Sequence, residues 1–221
     1  MAARKITALE VQKRNPRRVN VYLDGEFAFG LARIVAAWLS VGMELSEDKI
    51  AQLRADDERE IAFQQALRLI NYRPRTRAEI RTNLEKHKIS PAAIDEILTR
   101  LEETGLVDDA RFAAQWVENR SEFRPRSRRL LYIELRQHGL ETETIEQTLE
   151  EVDEEALALK AAQKHALKLA ALDHATFRQK LTSYLCRRGF QYQTSADASE
   201  IVWNELTDSE RLPDHKTGKV E

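Results

Sequence analysis

The sequence has 221 residues, of which 42% are hydrophobic and 33% are charged, a composition that excludes a chain disordered throughout. The formal net charge is −2, so any surface that binds nucleic acid has to come from a local cluster of basic residues. Cys186 is the single cysteine, which excludes an internal disulfide bond and favours a reducing compartment.

The N-terminal residues carry no long apolar run. Residues 1–5 are basic, and polar residues interrupt the apolar ones that follow, so we expect neither a signal peptide nor a membrane-spanning segment. The sequence therefore predicts a cytoplasmic protein with no membrane partner.

Three short stretches near the N-terminus alternate between apolar and polar residues, as strands of a half-buried sheet do. Asn15-Pro16 indicates a turn between the first two stretches, and Asp24-Gly25 predicts a type I′ hairpin turn, because both central residues of that turn need positive φ. The apolar members of the three predicted strands are Ile6, Ala8, Val11, Val19, Val21, Leu23, Phe27, Phe29 and Leu31.

A sheet of three strands needs a cover for its apolar face, and we expect residues 34–39, with Trp38, to provide it. Ser46 then begins a short helix that runs into the charged stretch 54–59. We therefore predict a small β-rich cap with short helices over residues 1–58.

From residue 60 onward the apolar residues follow helical spacing, and the breaks between helices are short. Thr76 with Glu79 forms a capping-box pattern, Ser90 stands before a proline that suits a first helical position, and Gly105 fits a helix end. Such short connections make consecutive helices pack against one another.

An internal repeat underlies this helical part. YRPRTR at 72–77 recurs as FRPRSR at 123–128, an offset of 51 residues, and a fainter third copy has lost the Arg-Pro-Arg segment. At the offset of 51 the matched pairs are Ile80 and Leu131, Leu84 and Leu135, His87 and His138, Ile89 and Leu140, Ile94 and Ile145, and Leu98 and Leu149.

The predicted fold is mainly α, with three tandem three-helix repeats forming an elongated, curved body behind the three-stranded cap. We place the first repeat at 59–108, the second at 109–155 and the third at 156–206, followed by a flexible tail at 207–221.

Four segments of the helical part carry a resemblance to a known family. They are ALRLINYRPRTRAEI at 66–80, LEETGLVDDARFA at 101–113, YIELRQHGL at 132–140 and, more weakly, LCRRGF at 185–190. In this order they resemble the RecX family, whose members modulate the RecA recombinase. The resemblance implies a protein that lies in the groove of the RecA filament on DNA and restrains its ATPase, strand exchange or growth, in recombination, DNA repair and the SOS response. Single-stranded DNA in the filament is a second candidate contact, and we expect a monomer without a cofactor.

The two Arg-Pro-Arg segments are the candidate binding sites. Each places guanidinium groups beside the N-terminus of a capped helix, a corner that suits a phosphate or a carboxylate. In the alternative interpretation these arginines bridge acidic residues of neighbouring helices and fix the turn. The candidate residues are Arg73, Arg75, Arg77, Arg124, Arg126, Arg128 and Arg129.

Other patterns favour structural roles. His87 and His138 suit helix ends better than a metal site, Phe112 and Trp116 have the spacing of core residues, and we expect the same of Trp38 and Trp203. The acidic run at 141–155 is typical of a solvated helix face, although it could also orient a basic protein partner.

No nucleophile elbow, phosphate-binding glycine loop or zinc-peptidase motif occurs, so we expect a protein that is not an enzyme. Three functions stay open: a regulator that docks on the RecA filament, a nucleic-acid-binding module that grips phosphates directly, and a helical scaffold for another partner. Affinity for bare single-stranded DNA separates the first two.

Overall fold

The computed structural model describes residues 3–211 and divides the chain into two compact units, Met1–Asp108 and Asp109–Glu221. An antiparallel sheet and one three-helix repeat form the first unit, and two further three-helix repeats form the second. The predicted plan of a β cap followed by three helical repeats is therefore confirmed.

The sheet has four strands in the order β3-β2-β1-β4, one more than the sequence predicts. The additional strand is a two-residue segment that pairs with the start of β1. Two residues are too few for an alternating pattern, so composition gives no signal for this strand. The strands are β1 (Arg4–Gln12), β2 (Asn15–Leu23), β3 (Glu26–Ala32) and β4 (Glu44–Leu45).

The hairpin between β2 and β3 turns at Asp24 and Gly25, whose φ angles of 52° and 91° confirm the predicted type I′ turn. A bulge in the ladder between Val21 and Tyr22 then moves Phe27 off the buried face. Phe27 is 59% exposed, and its ring meets the ring of Tyr22 edge-on with the centroids 5.9 Å apart. The prediction that Phe27 belongs to the buried apolar face is therefore wrong.

The cover of the sheet also differs from expectation. Ala36 and Leu39 of the 34–39 segment are buried, but Ile34 is 69% exposed and Trp38 is 47% exposed beneath the ammonium group of Lys49. The remaining cover comes from Ile50 and Leu53 on the next helix. Trp38 is therefore not a core residue.

That helix, α1 (Glu47–Tyr72), runs without a break from the sheet into the first repeat. Its N-cap is Ser46, and the charged stretch 54–59 continues the helix instead of ending the cap at residue 58. The stretch holds neither glycine nor proline, and Asp56 pairs with Arg59 one turn on, at 2.7 Å, so nothing in it terminates a helix.

The first repeat is completed by α2 (Arg77–Lys86) and α3 (Pro91–Glu103). Thr76 caps α2 by accepting from the N–H of Glu79, and α3 ends before Gly105, whose φ is +67°. Ser90 stands at the N-cap of α3, but its side chain makes no capping hydrogen bond. The core of this repeat consists of Ala62, Ala66, Ile80, Leu84, Ile94, Ile97, Leu98, Leu101 and Val107.

The two repeats of the second unit share one hydrophobic core. Its members include Phe112, Leu131, Leu135, Phe177 and Leu185. Trp116 and Trp203 pack against this core, in line with their predicted role. The helices are α4 (Asp109–Phe123), α5 (Arg128–Gln137), α6 (Thr142–Glu150), α7 (Glu154–Ala166), α8 (His174–Arg187) and α9 (Tyr192–Arg211).

Two predicted limits of the third repeat differ from the structure. Asp153 accepts from the N–H of Ala156, so α7 begins at Glu154, inside the range assigned to the second repeat. At the other end α9 continues to Arg211, past the expected limit at residue 206, and the rest of the predicted tail, 212–221, lies outside the described residues.

Candidate functional site

The first arginine corner, residues 73–77, joins α1 to α2. Arg73 is extended before Pro74, which ends α1, and the buried side chain of Thr76 caps α2. Glu79 in the first turn of α2 accepts from Arg73 at 3.0 Å and from Arg75 at 3.4 Å. One carboxylate thus neutralises part of this corner.

Arg77 forms an ion pair with Glu102 near the end of α3. Its guanidinium group therefore links the first turn of α2 to the last turn of α3. Exposed pairs of this kind contribute between zero and about 1 kcal/mol each to stability, so their main effect is to orient the arginines.

The second arginine corner, residues 124–129, joins α4 to α5. Pro125 and Ser127 are buried, and Ser127 caps α5 by accepting from the N–H of Leu130. Glu79, the acidic partner in the first corner, has no counterpart in the second, because the equivalent position in the second repeat is Leu130.

Glu134 takes over that role from the middle of α5. Its carboxylate pairs with Arg126, accepts from Arg120 at 2.7 Å and accepts from the indole N–H of Trp116 at 2.8 Å. Two cations and one neutral donor surround a carboxylate that is almost fully buried, so removal of the carboxylate would leave buried charges without a partner.

Sequence reasoning missed Glu134. A usable signal was present, since Leu131, Glu134 and Leu135 share the spacing of one buried helix face. An acidic residue within an apolar stripe predicts a buried ionic partner.

The third repeat packs against the second corner. The N–H of Ser127 donates to the carbonyl oxygen of Arg188 at 3.1 Å, and Arg188 donates back to the carbonyl oxygen of Pro125 at 3.4 Å. Gly189 follows with φ of +89° and lies directly against Ser127 and Leu130. The backbone of this corner is therefore held by the turn after α8.

The remaining arginines of the second corner divide into two kinds. Arg128 donates to the carbonyl oxygens of Val152 at 2.6 Å and Glu150 at 3.1 Å, so it caps the end of α6. Arg124 and Arg129 are exposed, and their guanidinium groups have no hydrogen bond or ion pair with any residue that the structure describes.

The histidines lie where the sequence places them. His87 follows α2, with Nδ1 2.9 Å from the carbonyl oxygen of Asn83, and His138 follows α5, with its ring 4.3 Å from that of Trp116. Between residues 3 and 211 no group of three or more His, Cys, Asp or Glu side chains could hold a metal ion.

The acidic run is largely solvated. Glu141, Glu143, Glu146 and Glu150 are all exposed, and a shallow groove of about 650 Å³ separates α5 from α6 beside them. Arg129 lies in the lining of the same groove, so its charge stands next to carboxylates. None of the helices within residues 3–211 is both long and apolar enough to cross a membrane.

Four sequence models of one family match the chain in order. The Regulatory protein RecX N-terminal domain matches residues 4–46, and the first, second and third three-helix domains of RecX match residues 62–101, 108–149 and 153–198.

Relatives with the same description match over most of the chain. The regulatory protein RecX of Bacillus licheniformis is 31% identical over 97% of this chain and 84% of its own length, and that of Bacillus subtilis is 30% identical over 93% and 80%. The regulatory protein RecX of Chlorobium phaeobacteroides is 41% identical over 67% of this chain and 98% of its own length.

Two solved structures share the fold. A crystal structure of regulatory protein RecX aligns with a TM-score of 0.67 at 27% identity, covering 91% of this chain and 99% of that one. RecX from Lactobacillus salivarius aligns with a TM-score of 0.57 at 21% identity, covering 69% of this chain and 98% of that one.

Proposed function

Because the chain belongs to the RecX family of regulatory proteins, we propose that it binds RecA filaments on DNA and inhibits their ATP hydrolysis and recombination activity. The family is one of regulators by name, and the first two repeats each present a corner rich in arginine. In this role the protein is a cytoplasmic monomer that acts on DNA repair and the SOS response without a cofactor.

The observation that carries the proposal is the division of labour within the second arginine corner. Arg126 and Arg128 are fixed by Glu134 and by the end of α6, while Arg124 and Arg129 are exposed and unpaired among the described residues. Fixed arginines shape the corner and unpaired ones are available for carboxylates of a partner.

The first corner contributes through Arg73, Arg75 and Arg77, which Glu79 and Glu102 orient but leave partly exposed. A guanidinium group has five N–H donors, so an arginine held by one carboxylate can still donate to a second acceptor. We propose all three as partner contacts weaker than Arg124 and Arg129.

Inhibition requires that the protein prefer one state of the filament. A ligand shifts an equilibrium between two states only by its difference in affinity for them. Binding across neighbouring RecA subunits in a state that does not hydrolyse ATP meets this requirement.

The alternative is a nucleic-acid-binding module whose corners grip phosphates directly. Arg124 and Arg129 favour it, but Arg129 stands beside the carboxylates of Glu143, Glu146 and Glu150, which repel a phosphate backbone. A nucleic-acid strand carries a negative charge on every nucleotide, whereas a protein surface can present a single carboxylate to each arginine and basic residues to the glutamates. We therefore place protein carboxylates before phosphates as the partner of the second corner.

The test is the rate of ATP hydrolysis by RecA of the same organism on single-stranded DNA, titrated with this protein. Binding of the protein to bare single-stranded DNA is measured in parallel at two salt concentrations. We expect inhibition at concentrations that leave bare DNA unbound.

Unchanged hydrolysis would refute the proposed regulation. Inhibition that sets in only where bare DNA is saturated would instead support the nucleic-acid module. The logarithm of its affinity for single-stranded DNA would then fall by about 0.7 per phosphate contact for each tenfold rise in salt concentration.

A further inference from the structure

A groove of about 690 Å³ lies in the first unit between α1 and the β2–β3 side of the sheet. We call it the basic groove, and all of its lining residues belong to the first unit. Four of its lining residues are arginines, namely Arg17, Arg18, Arg33 and Arg68.

The charges of the groove do not cancel. Arg18 is neutralised by Asp57 at 2.8 Å, but the guanidinium groups of Arg17, Arg33 and Arg68 have no hydrogen bond or ion pair with any described residue. Among the described residues that line the groove, Glu60 is the one acidic residue, and its carboxylate accepts a hydrogen bond from the side-chain amide of Gln64 at 2.9 Å. Three unpaired positive charges therefore face one negative charge.

The groove also exposes apolar side chains. Ile34 is 69% exposed and Ile61 is 39% exposed, and both line the groove. Ile34 is shared with an adjoining hollow of about 320 Å³ that Trp38 lines. Concave binding sites combine apolar side chains with a few polar or charged groups, and this groove has both.

We propose that the basic groove binds an acidic peptide segment of a partner protein, with carboxylates on the arginines and an aliphatic side chain on Ile34 and Ile61. Arginine is suited to this task because its planar fork holds a carboxylate through two parallel hydrogen bonds. The aliphatic side chain removes the two isoleucines from water, which adds to the affinity.

The lining favours a peptide over a nucleic acid. Proteins that hold single strands stack the bases on aromatic rings, whereas none of the described residues that line the groove is aromatic and its large apolar side chains are isoleucines. The groove lies within the first unit alone, so its binding of a peptide does not depend on the proposed regulation of RecA.

The test uses the full chain and a fluorescein-labelled decapeptide with glutamates on both sides of one leucine. Fluorescence anisotropy gives the affinity of the decapeptide and of two relatives, one with glutamines for the glutamates and one with serine for the leucine. We expect each change to the peptide to weaken binding about tenfold or more.

Variants of the protein locate the site. Arg33→Glu with Arg68→Glu should abolish binding of the acidic decapeptide and create binding of a decapeptide with lysines in place of the glutamates. Lys86→Glu on α2 changes the charge outside the groove and should leave both affinities as they were. Because the side chains of Arg33 and Arg68 make no hydrogen bond or ion pair with any residue from 3 to 211, the charge exchange tests recognition rather than folding.

Several outcomes would overturn the inference. The proposal fails if the unaltered protein leaves the acidic decapeptide unbound, or if the protein binds it equally after the Arg33 and Arg68 exchange. Tighter binding of oligothymidylate than of the decapeptide, lost in the same double variant, would show that the groove serves nucleic acid instead.

Discussion

The carboxylate of Asp57, in the middle of α1, lies 2.8 Å from the guanidinium group of Arg18 on β2. Its other oxygen accepts from the N–H of Ala32 at the end of β3, at 2.5 Å. A buried acid, 7% exposed, thus fastens the helix to two strands, and it belongs to the charged stretch that reads in the sequence as the end of the cap.

Replacement of Asp57 tests this attachment. We expect Asp57→Ala to lower the free energy of unfolding by about 2–4 kcal/mol, because it leaves Arg18 and the N–H of Ala32 without a partner. Urea denaturation followed by circular dichroism gives the value. The control is Asp56→Ala, which breaks an exposed pair with Arg59 and should cost less than about 1 kcal/mol; equal losses would contradict the prediction.

Replacement of Glu134 on α5 tests the buried network beside the second corner. Glu134→Gln keeps an acceptor for Trp116 but removes the charge that holds Arg120 and Arg126, so we expect a loss of about 1–3 kcal/mol in the free energy of unfolding. Asp95→Asn removes one exposed partner of Arg81 and should change stability by less than about 1 kcal/mol. A smaller loss for Glu134→Gln than for this control would argue against a buried network.

Gly189 and Gly105 form a matched pair of left-handed residues. A Cβ on Gly189 would collide with Ser127 and come within 2.6 Å of Leu130, whereas a Cβ on Gly105 would meet nothing within 4 Å. We expect Gly105→Ala to cost about 1 kcal/mol from backbone strain and Gly189→Ala to cost about 2–4 kcal/mol, since overpacking is added. Thermal unfolding of both variants measures the difference, and similar costs would show that the packing at Ser127 is loose.

The stability of the protein should depend on pH through His165. Burial lowers the pKa of His165 below its ordinary value of 6.5, and the charges of Lys168, Arg188 and Arg187 act in the same direction. The unfolded chain therefore takes up a proton more readily than the folded one, so this contribution is present above pH 6.5 and is lost as the pH falls through the lowered pKa.

Melting temperatures between about pH 7.5 and pH 5.5 check this sign. The variant His165→Gln should show a smaller fall over the same range, although it loses the stacking of the ring on Tyr184 at every pH. An identical fall in the variant would assign the dependence to other groups.

The two unpaired arginines of the second corner should dominate regulation. We expect the double variant Arg124→Ala with Arg129→Ala to raise the concentration for half-inhibition of RecA ATP hydrolysis about tenfold, without a change in melting temperature. Lys180→Ala on α8 removes a positive charge elsewhere in the same unit and is the control. Full inhibition by the double variant would remove the second corner from the interface.

The helical part could be predicted because its signals are local and repeated. The match of YRPRTR to FRPRSR fixes the register of two repeats, and capping residues such as Thr76 mark where helices begin. The hairpin between β2 and β3 could be predicted for a similar reason, since Asp24-Gly25 favours one turn type.

The ionic partners could not be predicted because they depend on packing between helices distant in sequence. Arg77 meets Glu102, which helical spacing does not indicate. The apolar stripe of α5 indicates that Glu134 has a buried ionic partner, but not that the partner is Arg126. The continuation of α1 through residues 54–59 has a local basis, because the stretch holds no glycine or proline. The burial of Asp57 has none, since only the folded sheet supplies its partner.

The 26 residues of α1 form one rod of about 39 Å that the sheet and the first repeat both use as a wall of their cores. Neither core is complete without its part of this helix, so the two should melt as a single cooperative transition rather than as separate modules. A ligand on the sheet side, present at one hundred times its Kd, would then stabilise the helices of the first repeat as well, by about 2.7 kcal/mol.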